Sequence, residues 1–235
     1  MINFFKKLYY EKYSKKSYSI SNVDLVIDRM FSEIKKGYFI DIGCNHPIKF
    51  NNCYALYKRG WRGINIDLDK DCINEFNKLR NKDYNFHAVV SSKSDIEKEV
   101  YIYHSRSAIN TVSTELIKYR NTDIDKIKIV KQKTETLENI IDKSPFRDKK
   151  FNLLSIDIEN HEHEVLKNFN FNKYIIDVIV IEIHNLKQRN LEIWEQSIEF
   201  VLNSKIYKLL INNNYKLINW VNSDFIFIRK GTRLK

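Results

Sequence analysis

Three residues two apart, Asp157, Glu159 and His161, stand in the segment Ser155-Ile156-Asp157-Ile158-Glu159-Asn160-His161-Glu162, which continues an apolar run. In an extended chain, alternate residues point to one side. An imidazole takes a proton near neutral pH and a carboxylate can hold its tautomer, so the trio suits general acid–base work. A plain structural reading also fits: Asn160 or His161 caps a helix, and Glu162 and Glu164 favour its N-terminal dipole. A second polar group, Glu182-Ile183-His184-Asn185, follows another apolar run. Asp157, Glu159, Glu182 and His184 then form a candidate oxygen and imidazole ligand set for Mg or Mn, an ion that would polarise a substrate hydroxyl and lower its pKa. His87, His104 and His163 have no partner spacing that singles them out.

A third group is Asp41-Ile42-Gly43, at the end of the apolar run Tyr38 to Ile42. Glycine lets the backbone turn sharply against a ligand, and a carboxylate there accepts hydrogen bonds or balances an ammonium group. An ordinary strand-to-helix turn is the competing account of these three residues. Asp67 ends the next apolar run, one βα unit later, where an acid can accept hydrogen bonds from ribose hydroxyls. The G-x-G-x-x-G needed to seat a pyrophosphate is absent, since only Gly43 remains. That loss favours S-adenosylmethionine (SAM), which has no phosphates, over a dinucleotide.

These groups must be positioned by a framework, and the chain alternates short apolar runs with amphipathic segments. Strands are expected at Tyr38–Ile42, Gly63–Asp67, Phe86–Val90, Phe151–Asp157 and Val178–Glu182, with helices at Cys53–Arg59, Asp71–Arg80, Thr136–Asp142, His163–Asn168 and Leu191–Asn203. Glu99–His104 and Ile127–Lys133 have strand character, and Ser107–Thr114 reads as a loop over one sheet edge. Tyr215–Val221 and Phe225–Arg229, joined by Asn222-Ser223-Asp224, read as a closing antiparallel hairpin. The expected fold is therefore α/β and Rossmann-like: a mostly parallel seven-stranded sheet with an antiparallel C-terminal strand and helices on both faces. In such sheets ligands bind beyond the carboxyl ends of the strands, where all the polar groups above fall.

With 235 residues, no Ser/Gly-rich linker and no repeat, residues 31–235 are expected to form one domain, preceded by a basic, aromatic extension over 1–30. Cys44, Cys53 and Cys72 are an odd set without CxxC spacing, which indicates neither a disulfide framework nor a structural zinc site and fits a reducing cytoplasm. No apolar run reaches the roughly 18 residues of a membrane-spanning helix, and no signal-peptide pattern is present. The net charge of +10 is spread along the chain among Asn and Ile rather than clustered, which speaks against nucleic acid as partner.

Several blocks in order carry a resemblance: Asp41-Ile42-Gly43-Cys44-Asn45-His46-Pro47, Asn51-Asn52-Cys53-Tyr54, Gly60 to Asp67, Ser107-Ala108-Ile109-Asn110-Thr111, and Ser155 to Glu162. From Ser19 to Glu182 the chain resembles the FkbM family of SAM-dependent methyltransferases. The resemblance implies a class I methyltransferase fold and O-methylation of a sugar, glycan or related small molecule. It implies cofactor positions at Asp41, Gly43, Asn45, Asp67, Asn52 and Ala88, and acceptor positions at His46, Asn110 and Thr111. Asp157, Glu159 and His161 are then the catalytic candidates, His161 as base. Asn160 stands where the family usually has Gly, so a left-handed Asn is expected there. A homo-oligomer is compatible with this reading. Two alternatives stay open: an RNA methyltransferase or nucleic-acid-binding module, and a non-catalytic SAM-binding protein.

Overall fold

The computed structural model describes residues 14–184 and 197–234. Along the chain run α1 (Val23–Met30), β1 (Tyr38–Ile42), α2 (Tyr54–Lys58), β2 (Arg62–Asp67), α3 (Lys70–Leu79), β3 (Tyr84–His87), β4 (Val89–Val90) and β5 (Glu97–Ile102). They are followed by α4 (Thr114–Tyr119), β6 (Lys128–Glu135), α5 (Leu137–Lys143), β7 (Phe151–Ile156), α6 (Glu162–Leu166) and β8 (Ile176–Glu182). The C-terminal part holds α7 (Ile198–Asn203), α8 (Lys205–Asn212), β9 (Tyr215–Val221) and β10 (Asp224–Arg229).

Seven strands form the main sheet in the order β3-β2-β1-β7-β8-β10-β9. β1 pairs in parallel with β2 and β7, β7 with β8, and β2 with β3. β10 is antiparallel to both β8 and β9, which makes it the one reversed strand of this sheet. This is the Rossmann-like architecture expected from the sequence, and strand order reverses between β1 and β7.

The pleat sends successive side chains to opposite faces. Ile40, Ile42, Leu154, Ile156, Ile179 and Ile181 join one core, against α5, α6 and α8. Phe39, Leu153, Val178 and Val180 join the other, against α1 and α2, with Trp61 beneath. Burying a side chain of the size of Phe39 stabilises the fold by about 2–3 kcal/mol. Local chemistry fixes the helix starts: Asp69, Thr136 and Ser204 accept hydrogen bonds from Asp71 N, Asn139 N and Tyr207 N, the capping geometry that satisfies orphan first-turn amides. Gly60, at φ 99°, ends the segment after α2.

Three expectations are corrected. The run Phe86–Val90 is not one strand: Ala88 N bonds back to Asp67 O, β3 stays in the main sheet, and β4 leaves to pair with β6. β5 and β6 consequently form a separate three-stranded sheet with β4. The loop after β5 lies over the cleft at the strand ends, because Asn110 donates to Asp69 and Thr111 donates to the Glu159 carbonyl. Three helices, α1, α4 and α8, have no counterpart among the helices expected from the sequence. Of the helix expected over Leu191–Asn203, residues 191–196 lie outside the described residues, as do Phe4 to Tyr13 of the basic aromatic stretch and Asn185. In the first turn of α1, the fully buried Asp24 gathers hydrogen bonds from Ser17 Oγ, Tyr18 N and Ser19 Oγ, folding the segment ahead of the helix against the body.

Candidate active site

Two cavities open at the carboxyl ends of the parallel strands, and Gly43 and Asp157 line both. Gly43 N donates to Ile66 O at 2.9 Å, and Asp157 N donates to Ile42 O at 3.0 Å, so β1, β2 and β7 stay knitted to their last residues. Gly43 has φ 78°, and a Cβ there would meet the Asp157 carbonyl oxygen at 1.8 Å. Glycine is demanded by this close approach as well as by the left-handed backbone.

The first cavity is lined by Ile66, Asp67, Ala88, Val89, Ala108 and Ile158 together with Asn45, Asn110, Glu159 and His161. Asp67 accepts hydrogen bonds from Asn45 N (2.9 Å) and Asp69 N (2.8 Å). Burial raises its pKa to about 6 despite those two donors. Among the described residues no lysine or arginine lines this cavity, while its apolar walls and carboxylates suit a flat ring, ribose hydroxyls and a cationic centre.

The second cavity is lined by Asp41, Asn52, Asp157, Glu182 and Asp224, closed by Ser21 and Ser223, and has no cationic side chain in its wall among the described residues. Asp41 and Ser155 share the pleat face of Phe39 and Leu153, which is why they face this side. Asn51 Nδ2 donates to Asp41 at 2.8 Å and Asn52 Nδ2 donates to Ser155 Oγ at 3.2 Å. Burial raises Asp41 to about 6, opposed by Arg80. Ser21 donates to Asp224, tying the segment before α1 to the start of β10.

The expected one-sided array of Asp157, Glu159 and His161 does not form. Glu159 (φ 58°) and Asn160 (φ 71°) both turn left-handed, ending the extended chain, and Asn160 meets its expected conformation. His161 enters α6 without capping it; its Nε2 lies 3.3 Å from Ser91 Oγ, and burial and Lys98 lower its pKa to about 4. Glu159 turns instead towards Arg120, which donates to it at 2.7 Å, and towards His184 at 3.5 Å. His184 Nε2 also stands 2.7 Å from Glu182 Oε2. Burial disfavours a charged His184 ring, and the adjacent Glu159 and Glu182 carboxylates oppose it and raise its pKa. Asp157 is solvent-exposed in part; desolvation of its carboxyl group and the neighbouring Glu182 and Glu159 carboxylates raise its pKa above the ordinary carboxylate range.

The cofactor candidates thus divide: Asn45, Asp67 and Ala88 line the first cavity, Asp41 and Asn52 the second, and Gly43 both. Of the acceptor candidates, Asn110 roofs the first cavity. Thr111 is committed to Glu159 O. His46 accepts the N–H groups of Ile48 and Lys49 and stabilises its own loop. Sequence reasoning missed Arg120, Ser21 and Asp224, each brought in from a distant segment with no local motif.

A family model described as "Methyltransferase FkbM domain" matches residues 41–217. No curated protein matches the chain. Among solved structures, a TehB-like SAM-dependent methyltransferase from Corynebacterium glutamicum is similar, with 13% identity, 97% of each chain covered and a TM-score of 0.45. M. capricolum TrmK in complex with S-adenosyl-homocysteine is similar at 11% identity, covering 86% of this chain and 65% of that one, with a TM-score of 0.38.

Proposed function

The chain belongs to the FkbM methyltransferase family, and from that premise we propose that it transfers the methyl group of SAM to a hydroxyl of a sugar, glycan or related small molecule. The observation that carries this reading is the meeting of two cavities of opposite character at Gly43 and Asp157. The first suits adenosine: Asp67 accepts from the ribose hydroxyls, Ala88 and Val89 pack the base, and Asn45 and Asn110 border it. The second offers Asp41 and Asn52 to the amino-acid end and the Glu182–Asp224 side to the acceptor.

When bound, SAM supplies an electrophilic methyl carbon on a sulfonium: the acceptor oxygen forms the new C–O bond while the C–S bond breaks, leaving neutral S-adenosylhomocysteine. The chain's own part is positioning, which in such displacements supplies most of the rate. Gly43 admits close approach at the junction of the cavities. Asp157 and Glu182 face the acceptor side, so the hydroxyl proton passes to this carboxyl pair rather than to His161, which faces the first cavity. Arg120 holds Glu159 in place.

Incubation with SAM labelled in its methyl group and a panel of monosaccharides, glycans and short RNAs tests the reading. Label in a sugar hydroxyl supports it. Label in RNA alone, or none despite measured SAM binding, contradicts it.

A further inference from the structure

Glu159, Glu182 and His184 each offer one ligand atom, and these atoms lie within 4.8 Å of one another. A second triad, Asp157, Glu162 and Glu182, meets the same limit and shares Glu182. Four carboxylates are thus concentrated beside one guanidinium, Arg120, and one imidazole. Acids gathered at a cleft are common, and by themselves they need no ion.

His184 is what sets this cluster apart. Its side chain is 5% exposed, and neither ring nitrogen has a hydrogen-bond partner among the described residues. Glu182 Oε2 is equally unsatisfied. Yet Nε2 and that oxygen are only 2.7 Å apart, which means that they are in contact but too poorly aligned for a hydrogen bond. A protonated His184 would offset charge while leaving both of its N–H groups without an aligned acceptor, a costly state for a buried donor.

The distances fit another arrangement. Neighbouring ligands around an octahedral ion with bonds of about 2.1 Å stand roughly 3 Å apart. Nε2 is 2.7 Å from Glu182 Oε2 and 3.5 Å from Glu159 Oε2, on either side of that edge length. Two carboxylates with one imidazole suit Mn²⁺ and its first-row neighbours better than Ca²⁺, which prefers oxygen alone.

We propose that Glu159, Glu182 and His184 form a binding site for a divalent first-row ion, Mn²⁺ in particular, at the end of β8. The ion replaces the ring proton of His184, and Arg120 holds Glu159 towards it. Glu182 also lines the second cavity, so an acceptor hydroxyl there would lie within reach of the ion. That last role rests on the proposed methyl transfer; binding of the ion does not.

The test uses the full-length protein without SAM or acceptor. Mn²⁺ is titrated with free ion followed by electron paramagnetic resonance, and its broadening of the His184 ring signals is read by NMR. One ion per chain is expected, bound at least about 10-fold more weakly by Glu182→Gln and by His184→Ala. Mn²⁺ that leaves the His184 signals of the unsubstituted protein sharp, or no binding at millimolar ion, overturns the site. Because the NMR reading needs no variant, misfolding of a variant does not blunt the test. Binding without methyl transfer would refute the proposed reaction and leave the site standing.

Discussion

The main-chain oxygen of Asp157 occupies the space beside Gly43 where any other residue would carry its Cβ, 1.8 Å away. β1 and β7 therefore approach as closely as backbones allow at the point where both cavities meet. Gly43→Ala must push Asp157 aside and also place alanine at φ 78°. A loss of roughly 2–5 kcal/mol in unfolding free energy is expected, as strain and overpacking add. Denaturant unfolding checks it; a loss below about 1 kcal/mol contradicts the close approach.

Asp67 couples stability to pH. Its folded pKa of about 6 lies above the ordinary 3.8, so the folded protein keeps a proton that the unfolded chain has released. The contribution is fully present below 3.8 and is lost as pH rises through about 6. Asp67→Asn should therefore reduce the decline in stability between pH 4 and pH 7 by roughly 3 kcal/mol, two pKa units' worth. Unfolding of both proteins at the two pH values measures this, and an unchanged decline counts against it.

Arg80 and Asp83 form an ion pair at 2.9 Å with both side chains wholly buried. Arg80 also lies over the rings of Phe39, Tyr57 and Phe76 and donates to Asn51, which in turn donates to Asp41. Arg80→Leu strands the Asp83 carboxylate, at an expected cost of about 3–5 kcal/mol. Adding Asp83→Asn should restore part of it in a double-mutant cycle. Additive losses would show that the two residues act independently.

On the proposed reading the second cavity sets acceptor charge. Among the described residues Asp41, Asp157, Glu182 and Asp224 line it without a cationic side chain, so in chelator-treated protein, free of any divalent ion, phosphorylated sugars meet repulsion that neutral or amino-bearing sugars do not. A kcat/KM at least about 10-fold lower for a sugar phosphate than for its parent sugar is expected, a difference of about 1.4 kcal/mol. Equal values would contradict the electrostatic reading.

The parallel strands were legible because Tyr38–Ile42, Phe151–Ile156 and Ile176–Glu182 are apolar on both faces, the pattern of buried strands. α1, α4 and α8 went unread although Ser21-Asn22, Ser113 and Ser204 precede them, because six to eight residues give too short a window for helical periodicity to stand out. Asp41 pairs in register with Asn65 and so shares its pleat face with Asp67, yet the two carboxylates line different cavities, a separation that loop geometry beyond the strand ends creates and strand parity does not. The array of Asp157, Glu159 and His161 assumed continued extension, and the two left-handed residues Glu159 and Asn160 broke that alternation. Arg120 lies far along the chain in the segment closing α4, so its pairing with Glu159 depends on tertiary folding and has no sequence spacing.

The most direct test is a crystal structure of the protein with S-adenosylhomocysteine and a sugar acceptor. The account expects adenosine in the first cavity with its ribose on Asp67, the sulfur over Gly43, and the acceptor hydroxyl in the second cavity beside Asp157 and Glu182. Adenosine seated in the second cavity, or an acceptor held beside His161, would contradict it.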